Sequence, residues 1–235
     1  MKQKVSDYIA DRLAQEGISQ VFTVTGGGAM HLNDSLGHHP GLSCLYHHHE
    51  QAAAMAAEAY ARVDNRMAAV CVTSGPGATN AITGALCAWM DSIPMLVLSG
   101  QVRYDTTVRH SGLKIRTMGV QEYDITPSVE PMTKYAVMVT DPLTIRYHLE
   151  RAIYLAKTGR PGPCWLDLPL NVQSAVVETD DLKAYDPSED AKELPAPVSE
   201  ETVKQILEKL KLASQPLIFA GHGIRLAGAY DEFQH

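Results

Sequence analysis

Two kinds of hydrophobic pattern alternate along the first 170 positions of the chain. Short, almost continuously apolar runs, such as 68–73 and 94–99, are typical of strands buried on both faces. Between such runs, apolar residues recur every three to four positions, which predicts amphipathic helices. The pattern predicts strands at 18–25, 42–46, 68–73, 94–99, 134–139 and 164–168.

Strands that alternate with helices predict an α/β fold, and their apolar character predicts a doubly wound, mainly parallel sheet with helices on both faces. We expect this domain to cover residues 1–173. Residues 174–198 are acidic, contain proline and have few large apolar groups, so they are predicted to be a linker. In 199–235, a helix capped by Ser199 and a strand at 216–220 are predicted to start a second α/β domain. So short a segment does not bury its own apolar faces, and we therefore expect the sequence to be a fragment of a longer protein.

Composition narrows the class of protein. The chain has 27 acidic and 20 basic residues, a net charge of −7, and no basic stripe, which argues against a nucleic-acid partner. The N-terminus is too polar for a signal peptide, and no apolar run reaches membrane-spanning length. The four cysteines lack CxxC spacing and are expected to be free thiols in a reducing compartment. These features predict a cytoplasmic enzyme that does not bind membranes.

Three predicted strands end in unusual loops, at 25–28, 47–50 and 74–80. In an open parallel sheet these loops share one edge, where ligands bind at the topological switch point. Their glycines allow tight turns and a close approach of the backbone to a flat ligand. The glycine triplet does not fit GxGxxG, and a phosphate-loop lysine is missing, so a Walker-type nucleotide site is excluded.

Glu50 is the acidic residue among these loops. It is predicted to lie in the first turn of a helix that is apolar almost all round, where the helix dipole favours a carboxylate. Its simplest role would be to cap that helix, but the neighbouring loops favour a site residue. Three histidines precede it, and adjacent strand residues point to opposite faces, so the three do not share one metal ion. We therefore expect no metal site here, and His49 is the histidine expected to lie nearest the site.

Five runs in this order and spacing closely resemble the N-terminal pyrimidine-binding domain of thiamine-diphosphate enzymes like acetolactate synthase. The runs are EQAA at 50–53, TSGPGATN at 73–80, SGQ at 99–101, QE at 121–122 and RPGP at 160–163. The resemblance covers about residues 1–175, and the segment after 198 is similar to the start of that family's central domain.

The resemblance implies a cofactor, thiamine diphosphate, and a role for each matching residue. Glu50 matches the glutamate that hydrogen-bonds the ring nitrogen N1′ and so helps the cofactor lose a proton before it attacks a 2-keto acid. Gln121 matches a residue beside the reacting carbon, although a solvated loop glutamine is the competing interpretation. The positions implied around the pyrimidine ring are Thr25, Gly26, Gly27, Thr73, Pro76 and Asn80.

Departures from the family pattern bear on the reaction. Acetolactate synthases usually have a lysine where this chain has Leu170, and a phenylalanine where it has Val120. Both changes fall where the second substrate is expected, which puts true acetolactate synthase activity in doubt. Decarboxylase-type relatives carry paired histidines, whereas only His110 stands in the matching loop here. This favours carbon–carbon ligation or lysis over simple decarboxylation.

The family holds the diphosphate through Mg²⁺ at a Gly-Asp-Gly motif in a C-terminal domain, and this motif is absent from the 235 residues. The resemblance therefore implies half a site that is inactive alone, completed by a partner subunit in a homodimer or homotetramer. The apolar helices that begin at Gln51 and Ala78 fit such an interface, but they would equally fit a buried core. The residues do not decide whether FAD is bound, or which 2-keto acid is used.

Two other functions remain open at this stage. The chain could be a non-catalytic or regulatory subunit that completes a site with a separate partner chain, because the cofactor-anchoring half is missing. It could also be a Rossmann-type nucleotide-binding domain, because of the glycine triplet, although we expect no NAD binding.

Overall fold

The computed structural model describes residues 1–191 and 196–235 and divides into two units, Met1–Lys192 and Glu193–His235. In chain order, the first unit contains β1 (Lys2–Lys4), α1 (Val5–Gln15), β2 (Gln20–Thr23), α2 (Met30–His38), β3 (Ser43–Tyr46), α3 (Glu50–Asp64), β4 (Ala68–Val72), α4 (Pro76–Asn80), α5 (Ile82–Asp91), β5 (Met95–Gln101), α6 (Val108–Ser111), α7 (Thr126–Val129), β6 (Tyr135–Met138), α8 (Ile145–Lys157), β7 (Pro163–Pro169), α9 (Leu170–Gln173) and β8 (Val176–Glu178).

Six parallel strands form the central sheet, in the order β3-β2-β4-β5-β7-β6. All six strands predicted within residues 1–173 are present, and the predicted doubly wound α/β fold is confirmed. After β2 the chain moves to the edge strand β3, and it then returns to place β4 on the other side of β2. The loops that follow β2 and β4 therefore leave in opposite directions, which makes the gap between them the topological switch point.

The helices pack on both faces of the sheet because the strands are apolar on both faces. Helices α1, α2 and α8 contribute to one buried cluster, and α3, α5 and α7 contribute to the other. The second cluster contains many alanines and the fully buried Trp165. A Cβ on Gly84 would lie 2.5 Å from the Cβ of Ala54, so α3 and α5 pack with their backbones in close approach.

The prediction of a linker at 174–198 places the end of the first unit too early. Strand β8 pairs antiparallel with β1, and Val177, Leu182 and Tyr185 are buried. Residues 192–195 of the predicted linker lie outside the described residues. The segment looks polar on average, but these isolated apolar side chains are enough to anchor it.

Ion pairing also holds this segment on the first unit. The guanidinium of Arg151 in α8 donates to both carboxylate oxygens of the buried Asp190, at 2.9 and 2.7 Å. The hydroxyl of Tyr185 donates to the same carboxylate. Arg151 also lies over the ring of Tyr135, 4.7 Å from its centroid. The described residues up to 191 therefore belong to the first unit.

The described residues of the second unit, 196–235, form three helices: α10 (Glu200–Leu212), α11 (Gly223–Leu226) and α12 (Tyr230–Gln234). Ser199 caps α10 as predicted, because its Oγ accepts a hydrogen bond from the backbone N–H of Thr202 at 3.1 Å. The strand predicted at 216–220 is wrong, since these residues are irregular and exposed. A strand needs a paired neighbour, and the described residues of this unit form no strand with which 216–220 could pair.

The helices next to the predicted site also differ from expectation. Helix α3 is not buried all round, because Ala52, Met55, Ala59 and Val63 form an exposed apolar stripe. The helix expected from position 78 is divided into α4 and α5. Within the described part of the chain, no helix is long and apolar enough to cross a membrane.

Candidate active site

The loops after β2 and β4 meet at the switch point of the sheet. The hydroxyl of Thr23 donates to the carbonyl oxygen of Cys71 at 2.7 Å, which joins the two strand ends. Asn33 in α2 donates to the Thr23 hydroxyl at 3.3 Å and accepts from the N–H of Gly26 at 3.3 Å. One amide side chain therefore holds the first glycine of the loop beside the end of β4.

Thr73 fits against the glycine triplet because glycine has no side chain. A Cβ on Gly26 would lie 2.5 Å from the Cβ of Thr73, a distance that no side chain could occupy. The Thr73 hydroxyl accepts a hydrogen bond from the N–H of Gly28 at 3.0 Å. Gly26 is thus required for close approach, and not for an unusual backbone angle, since its φ of −167° is ordinary extended geometry.

Gln173 holds the glycine turn by hydrogen bonds to main-chain carbonyl groups. The sequence did not predict it as a site residue. Its side chain is fully buried and donates to the carbonyl oxygens of Gly28 at 2.7 Å and Leu168 at 2.6 Å. It therefore connects the turn after β2 to the end of β7. These partners lie 145 and 5 positions away in the sequence, so no local pattern identifies the long-range contact.

Glu50 is the first residue of α3, directly after the helix cap. His49 is that cap, because its Nδ1 accepts from the N–H of Gln51 at 3.1 Å. The half-buried Glu50 carboxylate accepts a hydrogen bond from Asn80 Nδ2 to its Oε2 at 2.9 Å. Its other oxygen, Oε1, lies 3.3 Å from where a Cβ on Gly77 would be. The carboxylate is therefore oriented by an amide and lies beside a residue without a side chain.

The other two histidines of the triplet have separate surroundings. The ring of His47 packs against Phe22, with centroids 5.9 Å apart, and its Nδ1 lies 3.3 Å from the carbonyl oxygen of Leu45. His48 is exposed. The three rings thus do not converge on one point.

Gln121 reaches the same edge of the sheet through its main chain. It has a left-handed backbone, with φ of 55°, and its side chain is exposed. Its carbonyl oxygen would lie 2.1 Å from a Cβ on Gly75, whose own φ is +56°. Gly75 is therefore the residue that allows the 121 segment to pack against the loop after β4.

A cavity of about 660 Å³ lies between these loops. Its lining includes Gly26, Gly27, Thr73 and Gln121 of the predicted set, and also the two departure positions. Val120 has 83% of its surface exposed, and Leu170 is half-buried. The remaining lining residues are Gly28, Met30, Ser74, Val102, Arg103, Thr106, Met118 and Gly119.

The predicted site residues divide into two groups. Contacts through Thr73 and Gly77 connect Gly26, Glu50 and Asn80 in one cluster. Thr25, Gly27 and Pro76 lie on the same loops but are exposed, and Gln121 faces the cavity beyond Gly75. The sequence did not identify Asn33, Gln101, Asp167 and Gln173 as site residues. Each is a polar residue in or next to an apolar segment, and a buried polar residue needs hydrogen-bond partners, which is the signal that could have identified them.

Asp167 is a buried acid that is linked to the Gln121 segment through the side chain of Gln101. It pairs in register with Ser99 of β5, and its carboxylate accepts from Ser99 Oγ at 2.6 Å and from Gln101 Nε2 at 3.1 Å. Burial raises the pKa of Asp167 to about 7, although both of these hydrogen bonds lower it.

The chemistry of the site suits the pyrimidine half of thiamine diphosphate. An oriented carboxyl group can form a hydrogen bond with a ring nitrogen. The glycines at 26 and 77 allow the backbone of their loops to approach a flat ring. Among the described residues, no three His, Cys, Asp or Glu side chains cluster as a metal site. The residues of the cluster fit the heterocyclic part of the cofactor.

Comparison with known proteins agrees with this geometry. The family model for the thiamine pyrophosphate enzyme, N-terminal TPP binding domain, matches residues 3–122. The chain is similar to acetolactate synthase large subunits from Lactococcus lactis, with 36% identity over 97% of this chain and 38% of that protein, and from Haemophilus influenzae, with 33% identity over 93% of this chain and 37% of that protein. It is also 32% identical to acetolactate synthase isozyme 3 large subunit from Escherichia coli, over 97% of this chain and 38% of that protein.

The chain thus spans less than two fifths of the length of these relatives. The aligned region includes the residues that form the site. The family match contains the glycine turn, the helix that begins at Glu50, the loop after β4 and Gln121. The protein belongs to the thiamine pyrophosphate enzymes and contains their N-terminal TPP binding domain.

Proposed function

We propose that the protein containing these residues uses thiamine diphosphate to act on a 2-keto acid, with decarboxylation and carbon–carbon ligation or lysis, as a lyase or transferase. The observation that carries this proposal is the Glu50 carboxylate, oriented by Asn80 beside Gly77 at the switch point. The names of the similar large subunits, acetolactate synthases, support a small keto acid as substrate.

Each residue of the cluster has a distinct job in this proposal. When bound, thiamine diphosphate supplies the electron sink that 2-keto acid decarboxylation needs. Glu50 holds or donates the proton at the pyrimidine nitrogen, and Asn80 keeps the carboxylate turned toward the ring by bonding Oε2. Gly26 and Gly77 let the two loops pack closely on Thr73, which places their backbones where the ring would bind. Gln121 lies on the cavity side, where the substrate would enter.

We propose that the diphosphate and its Mg²⁺ are held outside these 235 residues. This proposal is supported by the absence of Gly-Asp-Gly from the sequence and by the fit of the site just described to the heterocycle. The second half would come from further chain or from a partner subunit, so these residues alone would be inactive.

We propose a homodimer or homotetramer in which α3 and α5 contribute to the interface. Leu86, Trp89 and Met90 have 39%, 40% and 66% of their surfaces exposed, and the stripe on α3 contains Met55 and Val63 at 41% and 68%. The two helices pack closely, so these side chains form one apolar surface on one face of the sheet. Surfaces of this kind on soluble proteins mark interaction sites.

We propose the cytoplasm as the compartment. All four cysteines are free, and Cys71 and Cys164 are buried thiols whose pKa is raised to about 12 by burial. Unpaired thiols of this kind are typical of reducing compartments.

A second candidate is a non-catalytic or regulatory subunit that completes a site with a separate chain. The missing Gly-Asp-Gly favours it, since a stand-alone subunit would need no such motif. The two proposals agree on the pyrimidine half of the site and differ only in where the remainder is encoded.

The deciding experiment is reconstitution of carbon dioxide release from pyruvate, with thiamine diphosphate and Mg²⁺ present. The 235-residue chain should be inactive alone, and it should become active when covalently continued by the C-terminal part of a related large subunit. Activity on mixing with a separate partner chain would instead favour the subunit proposal. Absence of turnover of pyruvate and of larger 2-keto acids in both arrangements, with each protein folded and assembled, would contradict the proposed function.

A further inference from the structure

Asp167 lies at the end of β7, next to the site, and the proposed chemistry does not use it. Only 1% of its surface is exposed. Its two carboxylate oxygens accept from different donors, Ser99 and Gln101. The Ser99 hydroxyl in turn accepts from the indole N–H of Trp165 at 2.8 Å. A buried acid with this many dedicated donors costs desolvation energy, which is recovered only if every bond is made.

Gln101 connects this acid to the segment that carries Gln121. Its side-chain N–H₂ donates to Asp167 and also to the carbonyl oxygen of Tyr123 at 2.8 Å. Its side-chain oxygen accepts from the N–H of Val102 at 3.0 Å, which fixes which way the amide points. Gln101 is fully buried, and Tyr123 lies two positions after Gln121. The carboxyl of Asp167 is therefore one side chain away from the main chain of that segment.

The segment 118–124, here called the Gln121 loop, needs such an anchor. Gln121 has a φ of 55°, in a region that residues other than glycine, asparagine and aspartate rarely occupy. Glu122 ties the loop to itself and to α6: its carboxylate accepts from the N–H of Val108 at 2.6 Å, of Met118 at 2.9 Å and of Gly119 at 3.2 Å. These bonds shape the loop, whereas the bond from Gln101 to Tyr123 attaches it to the central sheet.

We propose that Asp167 is a positioning residue that, through Gln101, holds the Gln121 loop at the edge of the cavity. The catalytic importance of this positioning role rests on the proposed function, because Gln121 approaches reacting atoms only if the protein binds thiamine diphosphate and a 2-keto acid. The mechanical part, in which a carboxyl at the end of β7 sets the stability of the loop, is independent of any cofactor.

The bonds predict how the loop responds to pH. Both donors point at the carboxylate, so its ionised form accepts two hydrogen bonds, and protonation removes the charge that strengthens them. Burial raises the pKa of Asp167 to about 7; the charged groups nearby are Asp124, which raises this pKa, and Arg109, which lowers it. The neighbouring strands offer neutral side chains, Ser99 and Gln101 from β5 and Met138 from β6. The loop is therefore held more firmly as pH rises through about 7.

Two nuclear magnetic resonance readouts on the 235-residue chain test this without any cofactor. The indole N–H signal of Trp165 reports ionisation of Asp167 through Ser99, and it is distinguished from the only other indole by Trp89→Phe. The Met118 and Gly119 amides donate to Glu122 within the loop, so they exchange when the loop opens. Their hydrogen exchange rates, corrected for the intrinsic effect of pH, therefore report how often the loop opens. We expect protection of these amides to rise several-fold between pH 6 and pH 8, with the same midpoint as the indole titration.

Asp167→Asn should abolish the indole titration and lower the protection of both amides about tenfold at pH 8, the size of one lost hydrogen bond to a charged group. Asp190→Asn is the matched control, because it removes another buried carboxylate and reports general loss of stability. In Asp190→Asn, protection of the Met118 and Gly119 amides should depend on pH as it does in the wild type. If Asp167→Asn does not fold, Gln101→Met is the alternative, because it removes the link to Tyr123 but leaves the acid in place. In this variant the indole signal of Trp165 should still titrate, and protection of the loop amides should no longer depend on this titration.

The proposal is overturned if loop protection is unchanged across the indole titration, if the indole does not titrate, or if Asp190→Asn loosens the loop as much as Asp167→Asn does. A coupled loop in a protein that never turns over a 2-keto acid would leave the positioning role intact and remove only the proposed function.

Discussion

At the scale of single residues, the site depends on side chains that are absent as much as on those present. Thr73 lies against Gly26 and Gly77 at distances where a Cβ would be only 2.5 and 2.7 Å from its atoms. The Cβ position of Gly77 is also 3.3 Å from Oε1 of Glu50, so the glycine that packs against Thr73 also lets the loop after β4 approach the carboxylate.

Substituting one glycine of the triplet tests this packing. Gly26→Ala should lower the free energy of unfolding by about 1–3 kcal/mol, because the new methyl group would overlap Thr73. Gly27→Ala is the matched control and should change it by less than about 0.5 kcal/mol, since nothing lies within 4 Å of its Cβ position. Urea denaturation measures both. Equal effects of the two substitutions would show that the contact with Thr73 does not limit the fold.

Asp167 predicts a dependence of stability on pH. Its pKa in the folded chain, about 7, is above the value of 3.8 for an exposed aspartate, so the folded chain keeps a proton that the unfolded chain loses. The contribution of Asp167 to the free energy of unfolding should therefore decline as pH rises from about 4 to about 7 and then level off. The difference between wild type and Asp167→Asn, measured by urea denaturation across this range, isolates the effect. A difference that does not vary with pH would contradict it.

At the scale of secondary structure elements, the sequence predicted what depends on local pattern. The six strands, the helix start at Glu50 and the Ser199 cap each follow from apolar periodicity or from one capping side chain. The pairing of β1 with β8 did not, because it joins residues more than 170 positions apart, and both strands are only three residues long. Asn33, Gln101, Asp167 and Gln173 were missed for the same reason, since their roles come from partners in other elements.

The anchored segment after β8 gives a test at this scale. Arg151→Met keeps the length of the side chain but leaves the buried Asp190 carboxylate without its bidentate partner. Limited trypsin digestion should then cut at Lys183 at least about tenfold faster, because local opening becomes cheaper.

Lys157→Met, which removes an exposed pair with Glu16, should leave the rate of cleavage at Lys183 unchanged. An unchanged rate in Arg151→Met would mean that the segment is held by its apolar side chains alone.

At the scale of the whole molecule, the apolar surface on α3 and α5 is the feature that a single subunit leaves unexplained. Helix α3 begins at the Glu50 carboxylate and continues into this exposed stripe. A subunit that packs on the stripe would therefore lie next to the open side of the site, which agrees with a site completed by a partner. Periodicity alone could not separate an interface helix from a core helix, because the two share the same apolar composition.

The surface can be tested by adding one charge. Met90→Glu should convert the assembled protein to smaller species, because it places a carboxylate in the proposed apolar interface. Leu143→Glu is the control, since Leu143 is 55% exposed and precedes α8 on the other face of the sheet. Sedimentation velocity measures the assembly of both variants. Dissociation by Leu143→Glu, or none by Met90→Glu, would contradict the placement of the interface.

The most direct measurement is the rate at which the thiazolium proton of bound thiamine diphosphate exchanges with deuterium, in the complete enzyme. Glu50→Gln should lower this rate by about 10²–10⁴, the usual contribution of a positioned acid or base, with the fold retained. Glu58→Gln, on the same helix and paired with Arg62, should leave it near the wild-type rate. Near-normal exchange in Glu50→Gln would contradict the account.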